Sequence, residues 1–280
     1  MFTFDTTSPV QLRVTNHAGR VSIEAADVTQ STVTLTAMHP EAEQSIAEAV
    51  VEQRGHHLVI ELPRGRVGLF RNRSAKVAVD IVIPTGSDLH AKLQSSDLRA
   101  SGTLAEVRIE TGSGDAVLDV VTGSCRFESG SGDLHIERCD EDLVAALGSG
   151  DVTADVVRGH VQARSGSGDV TIGHAGGPVT AGAGSGDVLI RTSEAGLTAK
   201  TGSGDVRIAQ ARAGEVHATT ASGDIDVAIA TGTAAWLDLN TISGDVRNEL
   251  DAVAGPDETD RTLELRAKTA SGDIRVARAS

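Results

Sequence analysis

Six aspartates, Asp115, Asp133, Asp151, Asp169, Asp187 and Asp205, each close a Gly-Ser-Gly-Asp tetrapeptide and follow one another at a strict 18-residue step. Carboxylates recurring at one period are what a ladder of calcium ions would need, because hard cations take oxygen ligands. If each period is one coil of a solenoid, successive carboxylates stand about 4.8 Å apart. Two bare charges at ~4.8 Å repel by roughly 0.9 kcal/mol even in water, and calcium would relieve that. The calcium β-roll also uses 18 residues per coil, but its signature is Gly-Gly-x-Gly-x-Asp-x-U-x on both sides of the roll. Here the aspartate follows the last glycine directly, and one corner per coil carries it. The other chemistry is local: glycine reaches positive φ, and the carboxylate accepts hydrogen bonds from nearby backbone N–H groups to make a tight bend. The corner reading is favoured, no metal ligand or cofactor is assigned, and the calcium ladder is the runner-up.

Other constellations give little. G-x-S-x-G, H-E-x-x-H and C-x-x-C are absent, and His135, His160, His174 and His217 occupy different places in their repeats. Outward charges Arg108 and Glu110, followed one coil later by Arg126 and Glu128, read as cross-strand salt bridges. Aromatics make up 2% of the chain, with no Tyr and one Trp, so the stacking surfaces of a carbohydrate-active β-helix enzyme are missing. One segment stands out from the acidic background: Arg64, Arg66, Arg71 and Arg73 frame Leu69 and Phe70 with no acidic residue among them. Such a loop suits a protein partner or an anionic membrane surface and is the expected contact site.

The elements that position these residues follow from the repeat. Apolar residues sit one and three places after each aspartate (Val170 and Ile172, Val188 and Ile190) and eight, six and four places before it (Leu197, Ala199 and Thr201). Alternation with period two means strands with one buried face, so each coil holds two short strands. The series begins at Asp97 and continues to Asp224, Asp245 and Asp273 with the spacing stretched to 19, 21 and 28, which puts insertions in the opposite corner. The fold class expected is all-β, a parallel β-helix.

Residues 1–88 are expected to form a degenerate first coil (Leu12, Val14, Asn16, Gly19, Val21, Ile23) plus a capping insertion. The insertion reads as a strand near Thr32–Ala37, a short helix near Glu41–Gln53 with Ile46, Ala49 and Val50 on one face, and strands near His57–Leu62 and Lys76–Ile83. Residues 89–280 are expected to be the solenoid, in one continuous domain, with Ala234-Ala235-Trp236 and residues 252–260 folding over the last coils. A net charge of −14 (25 Lys and Arg against 39 Asp and Glu) argues against nucleic-acid binding. The start Met1-Phe2-Thr3-Phe4-Asp5 has no basic or apolar leader region, so a cytoplasmic location is expected, in keeping with two reduced thiols, Cys125 and Cys139.

The Ser-Gly-Asp-Val-x-Ile coils, the opening Phe4-Asp5-Thr6 and the closing Ala235-Trp236-Leu237-Asp238-Leu239 with Gly244-Asp245-Val246-Arg247-Asn248 resemble a bacterial β-strand-repeat family of unknown function labelled "putative adhesin", in its actinobacterial, cytoplasmic-looking branch. The resemblance implies a right-handed helix and no catalytic residues. The function expected is a non-enzymatic scaffold or protein-interaction module, with a homo-oligomer through a sheet face or a solenoid end as a further partner.

Overall fold

The computed structural model describes residues 1–64, 76–250 and 261–279. It is all-β apart from one six-residue helix among the described residues, and it divides into two compact units, Met1–Cys139 and Asp140–Ser280. Within each unit the repeats stack as parallel coils, the β-solenoid expected.

The first unit contains β1 (Phe2–Asp5), β2 (Gln11–Ala26), β3 (Gln30–Ala37), α1 (Ala42–Ala47), β4 (Val50–Arg54) and β5 (His57–Glu61). It continues with β6 (Val77–Pro84), β7 (Ser87–Thr111), β8 (Ala116–Val121), β9 (Cys125–Ser129) and β10 (Leu134–Cys139). The first coil, β2, pairs in parallel with β7 on one side, Leu12 opposite Leu89 and Val21 opposite Leu98. On its other side it pairs in parallel with β5 and β6, Leu12 opposite Leu58 and Val21 opposite Val79. The segment expected to be a cap thus supplies a further coil outside the first, using the same alternation (Leu58, Ile60, Leu62; Val77, Val79, Ile81), all buried. Antiparallel strands then dress that coil: β4 on β5, β3 on β6 and β1 on β3.

The helix is shorter than its expected span. It ends at Ala47, and Val50–Arg54 is a strand turned back on β5 through Gly55, whose φ is +62°. Two adjacent β-branched residues, Val50 and Val51, fit a strand better than a helix, and glycine takes the left-handed turn position without a Cβ clash. The helix buries Ala42 and Ser45; Ile46 and Ala49 are half-buried and Val50 is exposed.

The second unit opens with β11 (Leu143–Leu147), β12 (Val152–Val157), β13 (Val161–Ser165), β14 (Val170–Ala175) and β15 (Val179–Ala183). It continues with β16 (Val188–Ser193), β17 (Leu197–Thr201), β18 (Val206–Ala211), β19 (Gly214–Ser222) and β20 (Ile225–Ile229). The last strands are β21 (Thr233–Ser243), β22 (Val246–Asn248), β23 (Arg261–Ser271) and β24 (Ile274–Arg278). Like residues stack over like: Val152, Val170, Val188, Val206, Ile225 and Ile274 form one buried column. An alanine column, Ala163, Ala181, Ala199, Ala218 and Ala267, faces the same interior. Burying each Val or Ile contributes about 1.5–3 kcal/mol, so short identical coils accumulate a core without aromatics.

Chain order breaks at the end of this unit. After β19 and β20 the next level in space is β23 and β24, Val216 opposite Leu265 and Ile225 opposite Ile274. The outermost level is β21 and β22, Leu237 opposite Leu265 and Val246 opposite Ile274. Ala234, Ala235 and Trp236 therefore belong to a coil rather than folding over one, and Trp236 is 57% exposed. Residues 252–260 lie outside the described residues.

The Ser-Gly-Asp corner is held by hydrogen bonds between coils. The backbone N–H of Asp187 donates to Asp169 Oδ1 at 2.8 Å, and Asp205 N–H donates to Asp187 Oδ1 at 2.8 Å. The same bond runs from Asp224 to Asp205, from Asp273 to Asp224 and from Asp245 to Asp273, each at 2.8 Å. In the first unit it joins Asp115 to Asp97 and Asp133 to Asp115. Hydroxyls four residues before the aspartate complete the corner: Thr201 Oγ1 donates to Gly186 O at 2.7 Å, and Thr220 Oγ1 to Gly204 O at 2.9 Å. The corner glycines serve a different end from the one expected. None in the six Gly-Ser-Gly-Asp tetrapeptides has positive φ; a Cβ on Gly186 would stand 2.2 Å from Gly168 O, so close approach of the neighbouring coil selects glycine.

Candidate functional site

The first unit carries a cleft of about 620 Å³ on the outer face of its returning strands. Strand register builds it. Arg13 on β2 lies beside His90 on β7 and Val59 on β5, and Arg108 on β7 lies beside Arg126 on β9. Arg54 from β4 and His57 from β5 close one end. Asp88 and Glu106 are the acids on the wall, and Asp88 Oδ1 accepts the backbone N–H of Glu106 at 3.2 Å.

Most of these cations are engaged. Arg108 pairs with Glu110 at 2.9 Å, Arg126 with Glu128 at 2.7 Å and Arg54 with Glu52 at 2.8 Å. These pairs run along the strand, while Arg108 stacks over Arg126 and Glu110 over Glu128, so the cross-strand bridges expected between those coils do not form. The cross-coil partner of Glu110 is Lys92, at 3.6 Å. The Arg108 hydrogen bond, with help from Lys92, holds the Glu110 carboxyl below its ordinary pKa.

Two groups in or at the cleft are left with capacity. Arg13 has no carboxylate within ion-pair distance among the described residues. His90 Nε2 is buried with no hydrogen-bond partner, and the nearest carboxylate oxygen, Glu110 Oε1, is 4.0 Å away. Burial first, then Arg13 and Lys92, lower the His90 pKa below 6.5, so the ring is neutral at pH 7 and presents a donor or an acceptor rather than a charge. A concave surface with an unpaired guanidinium and a neutral imidazole is built to receive a carboxylate or similar anion. Among the described residues no three His, Cys, Asp or Glu side chains gather to hold a metal ion.

The residues singled out from sequence fall elsewhere. Arg64 is exposed and its charge, second to burial, lowers the His17 pKa. Arg66, Leu69, Phe70, Arg71 and Arg73 lie outside the described residues. Asp115, Asp133, Asp169, Asp187 and Asp205 engage in the coil-to-coil bonds above, and Asp151 Oδ1 accepts Asp169 N–H at 2.8 Å. The cleft itself escaped the sequence reading, although its signal was present: Arg13, His90, Arg108 and Arg126 all stand seven places before the corner position of their coils. Cys125 and Cys139 are both buried and form no disulfide, and burial raises the Cys125 thiol far above the usual range, which leaves it unreactive. No described helix is long and apolar enough to cross a membrane.

Among solved structures the chain is similar to several bacterial proteins. A "putative adhesin" from Parabacteroides merdae aligns over 98% of this chain and 95% of its own, at a TM-score of 0.50 and 11% identity. A "putative adhesin" from Bacteroides fragilis covers 98% and 96% at 0.39 and 14%, and a "putative lipid binding protein" from Parabacteroides distasonis covers 98% and 96% at 0.37 and 14%. None of these sources supports the actinobacterial branch. No curated protein matches the sequence. The family model described as Toastrack DUF4097 matches residues 9–209 and again 182–280. Those two matches take in both units and every Ser-Gly-Asp corner, and the chain therefore belongs to the Toastrack DUF4097 family.

Proposed function

We propose that the chain is a non-enzymatic binding module, a rigid β-solenoid scaffold whose Arg13–His90 cleft receives an acidic segment of a protein partner. One observation carries the reading: an unpaired guanidinium and a histidine whose buried Nε2 has no hydrogen-bond partner line the same cleft. Both stand on strands fixed by parallel pairing on two sides, which pre-orders them for a ligand and keeps the entropic cost of binding low. The basic segment from Arg64 to Arg73 supplies a second contact for the same anionic partner. The description of the Parabacteroides merdae protein as a "putative adhesin" accords with a binding role, and two buried thiols outside any disulfide accord with a reducing compartment.

The test is an array of acidic and neutral peptides probed with the whole chain. Acidic peptides bind, and Arg13→Ala removes that binding without changing thermal unfolding; binding that ignores charge or survives Arg13→Ala refutes the reading.

A further inference from the structure

Outward residues of the second unit's returning strands fall into two rows fixed by register. One row runs Arg164, Gly182, Lys200, Thr219, Lys268. The other runs Gln162, Thr180, Thr198, His217, Arg266. In the first row cations alternate with small residues, so positive charge recurs every second coil, about 9.6 Å at a strand spacing of ~4.8 Å. None of these ten positions is acidic, in a chain of net charge −14; Asp238 and Asn240 continue the rows past Arg266 and Lys268, and Val144 and Ala146 continue them past Gln162 and Arg164.

Most arginines elsewhere in the unit are paired, Arg191 being one without a carboxylate within ion-pair distance among the described residues. Arg158, Arg207, Arg212, Arg247 and Arg275 of the same unit each sit beside a carboxylate. In the second row Arg266 is held by Glu264 at 2.6 Å, and His217 lies 3.6 Å from Glu215. Arg164, Lys200 and Lys268 have no acidic side chain within ion-pair distance among the described residues. All three are exposed. Lys200 and Lys268 line a shallow groove of about 400 Å³ whose other walls are Thr198, His217, Thr219 and Arg266.

We infer that this strip binds a linear acidic polysaccharide carrying one carboxylate or sulfate per repeat. The polymer lies along the stacking direction, its anions over Arg164, Lys200 and Lys268 and its hydroxyls against Thr219 between two of them and Thr180 and Thr198 in the adjoining row. Three features select this ligand among polyanions. Nucleic-acid phosphates recur every ~3.4 Å along a strand, about three to each gap between cations. The strip has no Phe, Tyr or Trp on which bases would stack. It also has no apolar side chain among its ten positions to enter a lipid surface. Spaced cations flanked by threonine hydroxyls suit a polymer of spaced anions with hydroxyls between them.

The test uses the whole chain and five probes: polygalacturonate, hyaluronate with its one carboxylate on every second sugar, neutral dextran, oligo-dT and vesicles containing phosphatidylglycerol. The two acidic polysaccharides bind and neutral dextran does not, and affinity falls as salt is raised. Lys200→Gln and Lys268→Gln each weaken binding roughly fivefold, and the pair about 25-fold. Gly182→Glu places a carboxylate inside the strip at a site where a Cβ meets nothing nearer than Lys200 O at 3.5 Å. It weakens binding at least about tenfold while thermal unfolding stays that of the wild type. Monomeric galacturonate, too short to span two cations, binds far more weakly than the polymer. The inference is overturned if neither acidic polysaccharide binds at low salt, if the variants bind them as the wild type does, or if oligo-dT or the vesicles bind more tightly.

Discussion

Replacing Asp169 by alanine separates the two forces that act at the Ser-Gly-Asp corner. Asp169 Oδ1 accepts the N–H of Asp187 at 2.8 Å, and this bond is lost in the variant. A hydrogen bond to a charged acceptor contributes about 1.5–3 kcal/mol, and the exposure of Asp169 places it near the lower end, at about 2 kcal/mol. Against this, the Asp169 charge is repelled by its neighbours Asp151 and Asp187. Each repulsion is roughly 0.9 kcal/mol at ~4.8 Å in water without salt, and falls to about 0.5 kcal/mol where the Debye length is ~8 Å. The expected net loss is therefore about 1 kcal/mol at physiological salt. In molar salt the repulsion is nearly gone and the loss rises toward about 1.5 kcal/mol. Asp169→Asn keeps an acceptor oxygen and sheds the charge, so its stability stays within about 0.5 kcal/mol of the wild type. Urea unfolding followed by far-ultraviolet circular dichroism at low and high salt measures all three proteins. If Asp169→Ala equals or exceeds the wild type in stability, or if salt narrows the gap between them, repulsion governs the corner and the hydrogen-bond account is wrong.

Three further outcomes follow from the geometry. Gly186→Ala puts a methyl 2.2 Å from Gly168 O and destabilises by at least about 2 kcal/mol in the same assay, whereas Gly182→Ala changes stability by under about 0.5 kcal/mol. The lowered pKa of His90 means that the unfolded chain takes up the proton first as pH falls through about 6.5. Stability is thus complete above that pH and declines below it, and His90→Gln makes melting temperature less sensitive to pH across this window. Metal-stripped protein melted with EDTA and then with millimolar calcium gives the same midpoint; a rise of many degrees specific to calcium would move the aspartates from corner chemistry to an ion site.

The coil was legible because the same register is written ten times, and both strands of a coil can be counted from its aspartate. Register says which residues share a face, but not which coil lies beside which. That is why the seating of β23 and β24 one level inside β21 and β22 is invisible in the repeat. The same limit hid the extra coil of β5 and β6, whose Leu58, Ile60 and Val79 carry the pattern without a Gly-Asp corner to mark it. Glycine at the corner was read from its conformational freedom, while its use is the carbonyl of the adjacent coil, a contact no single repeat displays. For the cleft, the column of Arg13, His90, Arg108 and Arg126 was countable, but the absence of a carboxylate near Arg13 depends on rotamers that spacing does not specify.

The seating of β23 and β24 between β19/β20 and β21/β22 bears on how the second unit is made. In an ordinary solenoid each coil leaving the ribosome can dock on the one before it, and nascent chain grows as a zipper closes. Here β21 and β22 emerge before the strands that bridge them to the stack, so the growing end must stay unzipped until residues 261–278 are synthesised. In a nearest-neighbour description, removing a terminal repeat breaks one interface and removing an internal one breaks two. A premature stop ahead of β23 would therefore remove the level that joins β21 and β22 to the stack and leave their coil without a neighbour, so residues 261–278 act as a late checkpoint on the folding of this unit.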